Sequence, residues 1–366
     1  MTRNVKIHKS LLPLSWIYGA GVCFRNKLFD SGILPVEKFG VPILSIGNLR
    51  VGGTGKTPHT EYLIRLLGNN YRLAILSRGY KRKSKGFILA DSSADSSRIG
   101  DESYQLFRKF PHILVAVDSN RRRGIRNLLN LSEKIRPEII LMDDAYQHRY
   151  VKPSLSILLT EYAQPFSRDY LLPAGRLREP AGNKNRADII IVTKCPTFPD
   201  PENRDKFSAE LKPEASQELF FSLFSYGSLC PVSKTNQEID AKRAKEEISS
   251  ALLFTGIASP LPLIDHIQSL IPKVEIQTYP DHHNYTSTDF RDLDSRFNRL
   301  PGEEKILITT EKDIVKLVDH PDFPKELREH LYYIPIEVQF ETSQKELFNK
   351  IIENHVKTIE RNRSLA

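Results

Sequence analysis

Short apolar runs alternate along the chain with longer mixed segments, and this texture predicts the fold. VPILSIGN (Val41 to Asn48), LAILSRGY (Leu73 to Tyr80), HILVAV (His112 to Val117), EIILMDD (Glu138 to Asp144), SLSILLT (Ser154 to Thr160) and ADIIIVTK (Ala187 to Lys194) are of strand length and rich in Ile, Leu and Val. They form continuous apolar blocks rather than alternating ones, as strands do when helices cover both faces of a parallel sheet. Helix-like stretches separate most of them. Residues 35–215 are therefore expected to form a doubly wound, mostly parallel α/β domain.

After Cys195 the pattern changes. CPTFPDPENRDK is a proline-rich, charged connector, and the chain restarts with LFFSLFSYGSL. SALLFTGIASP, KVEIQTYPDHH, KILITTEKDIVKL and YYIPIEVQF follow, again strands alternating with helical stretches. A second, smaller α/β domain is expected over 216–342. In the tail, Leu347, Ile351, Ile352, Val356 and Ile359 recur at helical spacing, which predicts a last helix within 343–366.

The first 34 residues form a region of their own. Arg3, Lys6 and Lys9 precede the apolar run LLPLSWIYGAGVCF, Leu11 to Phe24. A secretory or lipoprotein signal fits poorly, because Val22 precedes Cys23 and no small-residue cleavage site follows. The run is also short of the roughly 20 residues that a spanning helix needs. Two readings remain from the residues alone. One is a helix in a membrane interface, with Trp16 and Tyr18 at headgroup depth. The other is a helix packed on the protein core.

Composition narrows the partners. The net charge is +8 with 27% charged residues, which favours an anionic partner such as a phosphorylated substrate, an acidic membrane or nucleic acid. Three dispersed cysteines, Cys23, Cys195 and Cys230, make no disulfide framework and no metal-ligand spacing, so a reducing compartment is the default.

The strongest chemical signal is Gly52-Gly53-Thr54-Gly55-Lys56-Thr57. Glycines let successive backbone N–H groups point at phosphate oxygens, and the following helix adds its positive end. Lys56 would reach the outer phosphates of ATP and Thr57 would sit on Mg²⁺. One position is unusual: such a loop normally opens with glycine, where this chain has Arg50. A second signal is IILMDDAYQH, whose Asp143 and Asp144 end an apolar strand, where nucleotide-bound Mg²⁺ is held in phosphate-loop proteins. GDES places Asp101 and Glu102 at a helix start, and Asn120-Arg121-Arg122-Arg123 offers cations for phosphate charge. YPDHHN carries His282 and His283 on a loop, and PAGRLREP presents Arg176, Arg178 and Glu179 on a rigid turn.

Together SIGNLRVGGTGKTP, LSRGYKRKSKG, GDES, IILMDDAYQH, LLPAGRLREP, VTKC, LFTGIASP, YPDHHNY and LITTEKDIVKL resemble, in order, the tetraacyldisaccharide 4'-kinase (lipid A 4'-kinase) family. That family's phosphate loop reads N-x-x-x-GGTGKTP and lacks the opening glycine. The resemblance implies transfer of the ATP γ-phosphate to the 4'-hydroxyl of a tetraacylated glucosamine disaccharide 1-phosphate. It implies a peripheral enzyme on the cytoplasmic face of the bacterial inner membrane, with the N-terminal helix in the lipid. By the same resemblance Asp101 is the base, supported by His282. Lys56 and Arg121 are catalytic cations, and Asp143, Asp144, Glu102 and Thr57 lie at the metal. His148, Arg178 and Glu179 face the substrate. The chain departs from common family residues at Ser103 and at Ala145-Tyr146, where no functional side chain is lost.

Two rivals belong to other classes. A membrane-associated partition-type ATPase would share GGTGKT but usually carries a lysine where this chain has Val51. A nucleic-acid-dependent ATPase would fit the charge, yet no nucleic-acid motif with interleaved aromatics is present, and no nucleic-acid partner is expected.

Overall fold

The fold is that of a computed structural model describing residues 7–233, 235–281, 283–318 and 320–364. The chain divides into two compact units, one comprising 1–224 and 338–366, the other 225–337.

The first unit opens with helix α1 (Leu12–Asp30). Strand β1 (Ile43–Asn48) then runs through the phosphate loop into α2 (Lys56–Leu67). Next come β2 (Leu73–Ser77), the two-residue β3 (Ile88–Leu89), the short α3 (Ser96–Ile99) and α4 (Asp101–Lys109). They are followed by β4 (Leu114–Val117), α5 (Arg121–Leu129), β5 (Ile139–Asp143), β6 (Leu155–Glu161) and β7 (Ile189–Thr193). Helix α6 (Pro201–Leu211) and β8 (Glu218–Tyr226) lead into the second unit.

That unit contains β9 (Cys230–Pro231), α7 (Ala241–Glu247), β10 (Ser250–Thr255), α8 (Leu261–Leu270) and β11 (Val274–Thr278). It continues through α9 (Ser287–Arg299), β12 (Lys305–Thr310), α10 (Glu311–Leu317), α11 (Lys325–Glu329) and β13 (Leu331–Ile334). Strand β14 (Ile336–Phe340) returns the chain to the first unit, where α12 (Thr342–Ser364) ends it.

The large sheet has the order β14-β8-β7-β6-β1-β5-β2-β4-β3. From β8 to β4 every pairing is parallel, and β3 runs antiparallel to β4. The continuous apolar runs follow from burial on both faces. Leu44, Ile75 and Leu141 face a core with α2's Leu63, Ile64 and Leu67 and α12's Phe348, Ile352 and Val356. Their neighbours Ile43, Ala74, Leu76, Ile140 and Met142 pack on α5's Ile125 and Leu128. Strand β1 has β5 on one side and β6 on the other, so the order reverses around it. Open α/β sheets bind ligands outside the carboxyl end of such a strand.

Helix α1 is apolar on its outer side. Its buried side carries Ser15, Gly19, Asn26 and Phe29: the Ser15 hydroxyl donates to the Leu171 carbonyl at 2.9 Å, and a Cβ on Gly19 would meet Leu171 Cδ1 at 2.7 Å. Trp16, Ile17 and Phe24 stay 70, 71 and 65% exposed. Among the described residues no helix is long and apolar enough to cross a membrane.

The second unit is built on the sheet β11-β10-β12-β13-β9, parallel except for β9. At its carboxyl edge buried Asp313 accepts from the Thr255 hydroxyl at 2.8 Å, the Gly256 N–H at 3.0 Å and the Thr310 hydroxyl at 2.7 Å. The loop after β11 is fastened there too. Lys312 meets Asp281 at 2.8 Å, and Lys316 donates to the His283 carbonyl at 2.9 Å. His282, the supporting residue implied by the family resemblance, lies outside the described residues.

Candidate active site

The phosphate loop is shaped by its own side chains and by its neighbours. Asn48, the last residue of β1, donates to the Thr54 hydroxyl at 2.8 Å. The Thr193 hydroxyl donates to the Thr54 carbonyl at 2.9 Å, and Lys194 holds the Gly53 carbonyl. Gly52 and Gly55 have φ of 123° and 89°, which side-chain-bearing residues rarely adopt. At Gly55 there is also no room, because a Cβ would lie 2.5 Å from Phe224 Cζ. Lys56 and Thr57 then open α2, whose free N–H groups and dipole favour an anion at this end.

Arg50 is a structural anchor. It is buried, with its guanidinium 3.0 Å from Glu161, 3.3 Å from Asp169 and 2.9 Å from both Gln164 oxygens. Its flanks bond to the loop before β7: Val51 N–H donates to the Arg176 carbonyl at 2.8 Å, and Arg178 N–H to the Leu49 carbonyl at 2.7 Å. The entry to the phosphate loop is thus held by an ion-pair network where other such loops bend at glycine.

Asp143 and Asp144 stand at the end of β5, next to β1. Gly47 makes this closeness possible, since a Cβ there would meet Tyr146 Cβ at 2.6 Å. Lys56 Nζ lies 3.5 Å from Asp144 Oδ1, and the Arg178 guanidinium reaches the same oxygen at 3.2 Å. Burial alone would raise the Asp144 carboxyl, but Lys56 and Arg178 outweigh it and hold it below the usual carboxylate range. Asp143 is fully enclosed, with the Thr60 hydroxyl 3.3 Å away. Burial, then the charges of Glu102 and Asp144, push its carboxyl well above the ordinary range.

Arg121 begins α5 and is also buried. It donates to the carbonyls of Asp118 at 2.5 Å and Asp143 at 3.3 Å. Burial lowers it to about 10, against the pull of Asp143 and Asp144, so it stays a cation at neutral pH. Its Nε has no hydrogen-bond partner among the described residues. Asp101 and Glu102 are half-buried in the first turn of α4, and Glu102 is close enough to Asp143 to act on its charge. His148 follows the carboxylate turn, and burial with nearby Arg121 lowers its imidazole to about 4, so it is neutral.

The structure therefore gathers Lys56, Asp143, Asp144, Arg178, Arg121 and Glu102 around one strand end. Glu179 faces inward instead, bonded to Arg186 and to Asn183 at 3.1 Å, and so fastens the turn that carries Arg178. Gln147 is an organising residue that the sequence did not single out. It donates to the Asn48 carbonyl at 2.7 Å and accepts from Arg178 at 3.3 Å. The LSRGYKRKSKG stretch lines a cavity of about 450 Å³ with Arg78, Lys81, Arg82 and Lys85. Arg78 is near enough to act on Arg121.

A glycine loop between a parallel strand and a helix, with a lysine and paired carboxylates at the loop's edge, defines a phosphate-loop nucleotide-binding enzyme. The comparisons narrow the class. The profile of the tetraacyldisaccharide-1-P 4'-kinase family matches residues 7–357, and the chain belongs to that family. The tetraacyldisaccharide 4'-kinase of Bacteroides thetaiotaomicron is 48% identical over 99% of this chain and 97% of its own length. That of Parabacteroides distasonis is 48% identical over 97% and 96%. The crystal structure of LpxK from Aquifex aeolicus in complex with ATP superposes with a TM-score of 0.73. It is 31% identical and covers 95% of this chain and 99% of that one. Membership decides for the kinase over the partition-type ATPase.

Proposed function

We propose that this chain moves the γ-phosphoryl group of ATP to the 4'-hydroxyl of a tetraacylated glucosamine disaccharide 1-phosphate, with Asp101 as the base and His282 supporting it. The observation that carries the reading is the cluster Lys56–Asp144–Arg178 beside the left-handed Gly55, with the Nε of buried Arg121 unpartnered among the described residues. Two cations share one carboxylate there, and a third has a donor to spare, which is a fit for triphosphate oxygens.

The donor set also fits Mg²⁺. Among the described residues no group of three or more side chains makes a metal cage. Mg²⁺ bound to a nucleotide needs only one or two carboxylates together with the phosphates. Asp143, Asp144 and the Thr57 hydroxyl would hold it, with Glu102 nearby. When bound it neutralises charge on the phosphates and on the transferring group.

The chain's own residues do the rest. The loop N–H groups fix the phosphates, and Lys56 and Arg121 stabilise charge on the equatorial oxygens as the group transfers. A carboxylate is a weak base for an alcohol. In a loose phosphoryl transfer it chiefly orients the hydroxyl and takes the proton late. Arg178, His148 and the turn fastened by Glu179 border the acceptor side. The apolar outer face of α1, with Trp16, Ile17 and Phe24, rests in the cytoplasmic leaflet of the inner membrane, where a two-tailed acceptor resides.

The test is phosphorylation of the lipid disaccharide by wild type and by Asp101→Ala. The variant is expected to bind ATP with unchanged affinity and to lose transfer. A variant that retains full turnover would remove Asp101 from this role.

A further inference from the structure

Directly behind the phosphate loop, α2 carries a buried histidine. His59 Nδ1 is 2.8 Å from the Gly55 carbonyl oxygen, and Nε2 is 3.0 Å from the Ser222 hydroxyl on β8. The backbone N–H of His59 also reaches the Gly55 carbonyl, but at a longer 3.3 Å. The ring therefore makes the shorter bond in the first turn. Phe224, two residues beyond Ser222, closes against Gly55, where a Cβ would lie 2.5 Å from its ring. The phosphate loop is thus clamped from behind by one strand through two side chains.

The chemistry of the partners assigns the tautomer. A carbonyl oxygen can only accept, so Nδ1 carries the proton; Nε2 then accepts, and the Ser222 hydroxyl donates. Burial lowers the imidazole to about 4, so this neutral form holds throughout the working pH range.

We infer that His59 is a positioning residue for ATP, acting through the Gly55–Lys56 peptide. In a trans peptide the carbonyl and the next N–H point opposite ways. Holding the Gly55 carbonyl back along the helix turns the Lys56 N–H forward, toward the phosphate oxygens. It also fixes the left-handed Gly55 and aims the lysine. The inference rests on the reading of Gly52 to Thr57 as the ATP phosphate loop.

Two isosteric substitutions separate the ring's two bonds. His59→Asn keeps an N–H donor at the Nδ1 place and loses the Ser222 link. His59→Gln keeps a polar group toward Ser222 and loses the Gly55 bond. With the full chain in lipid–detergent micelles, His59→Gln is expected to raise KM for ATP about tenfold, the upper range for one hydrogen bond. KM for the lipid acceptor should not change, and His59→Asn should stay within about twofold of wild type. The native protein offers a second readout: the assigned ¹⁵N resonances of His59 should report the Nδ1–H tautomer. An Nε2–H tautomer overturns the inference, as do equal ATP KM values for the two variants or a matching rise in acceptor KM. Failure of the phosphate-loop reading looks different, as wild-type protein that binds no ATP.

Discussion

Lys56 Nζ and Asp144 Oδ1 lie 3.5 Å apart, with Asp144 also taking the Arg178 guanidinium at 3.2 Å. The carboxylate therefore spaces two cations that ATP would otherwise have to gather. Asp144→Asn keeps the shape and removes the charge. It is expected to lower kcat at least about a hundredfold, the scale of a lost electrostatic contact in the transition state. Acceptor-dependent ADP release checks this, and a kcat near wild type would contradict it.

Asp143 makes the opposite prediction for stability. Its carboxyl is raised in the native protein, by burial first and then by Glu102 and Asp144. Between the ordinary carboxylate range and that raised value the native state binds the proton more than the unfolded state does. Stability then falls as pH rises through the window. Without metal, Asp143→Asn is expected to raise the unfolding midpoint at pH 8 and flatten its pH dependence, and with Mg²⁺ and ATP it should abolish transfer. Thermal unfolding at pH 5 and pH 8 is the measurement. A lower midpoint for the variant at pH 8 would speak against the buried-charge account.

Arg50 should matter to the fold more than to phosphate. Arg50→Gly restores the glycine usual in such loops, yet it leaves buried Asp169 without its cation. A destabilisation of about 3 kcal/mol is expected, the scale for breaking a buried ion pair. Denaturant unfolding reads it directly, and a neutral or stabilising effect would show that the network adds nothing.

On α1, Trp16→Ser with Ile17→Ser and Phe24→Ser removes exposed apolar area without touching the buried Ser15–Gly19 side. Co-sedimentation with anionic vesicles should drop severalfold, while turnover of detergent-dispersed acceptor should change little. Unchanged vesicle binding would take the membrane role away from this face.

Much of the first unit was legible because each parallel strand is a compact apolar block. VPILSIGN became β1, EIILMDD became β5 and ADIIIVTK became β7. GGTGKT could be placed because strand, glycine turn and helix are contiguous. The order of the strands could not be read, since it depends on which helices cover which face. The two-residue β3 is too short to leave a pattern. The resemblance explained the missing glycine at Arg50, but the partners Glu161, Gln164 and Asp169 lie more than a hundred residues away. His59 gave no signal for the same reason: its meaning depends on Ser222, a strand brought alongside only by the fold.

The most direct test is to incubate the purified full chain with Mg²⁺, ATP and tetraacyldisaccharide 1-phosphate in mixed micelles, and to locate the new phosphate by ³¹P NMR. The account predicts one new monoester at the 4'-hydroxyl, formed in step with ADP and only when the acceptor is present. ATP hydrolysis indifferent to the acceptor, or phosphate at another position, would contradict it.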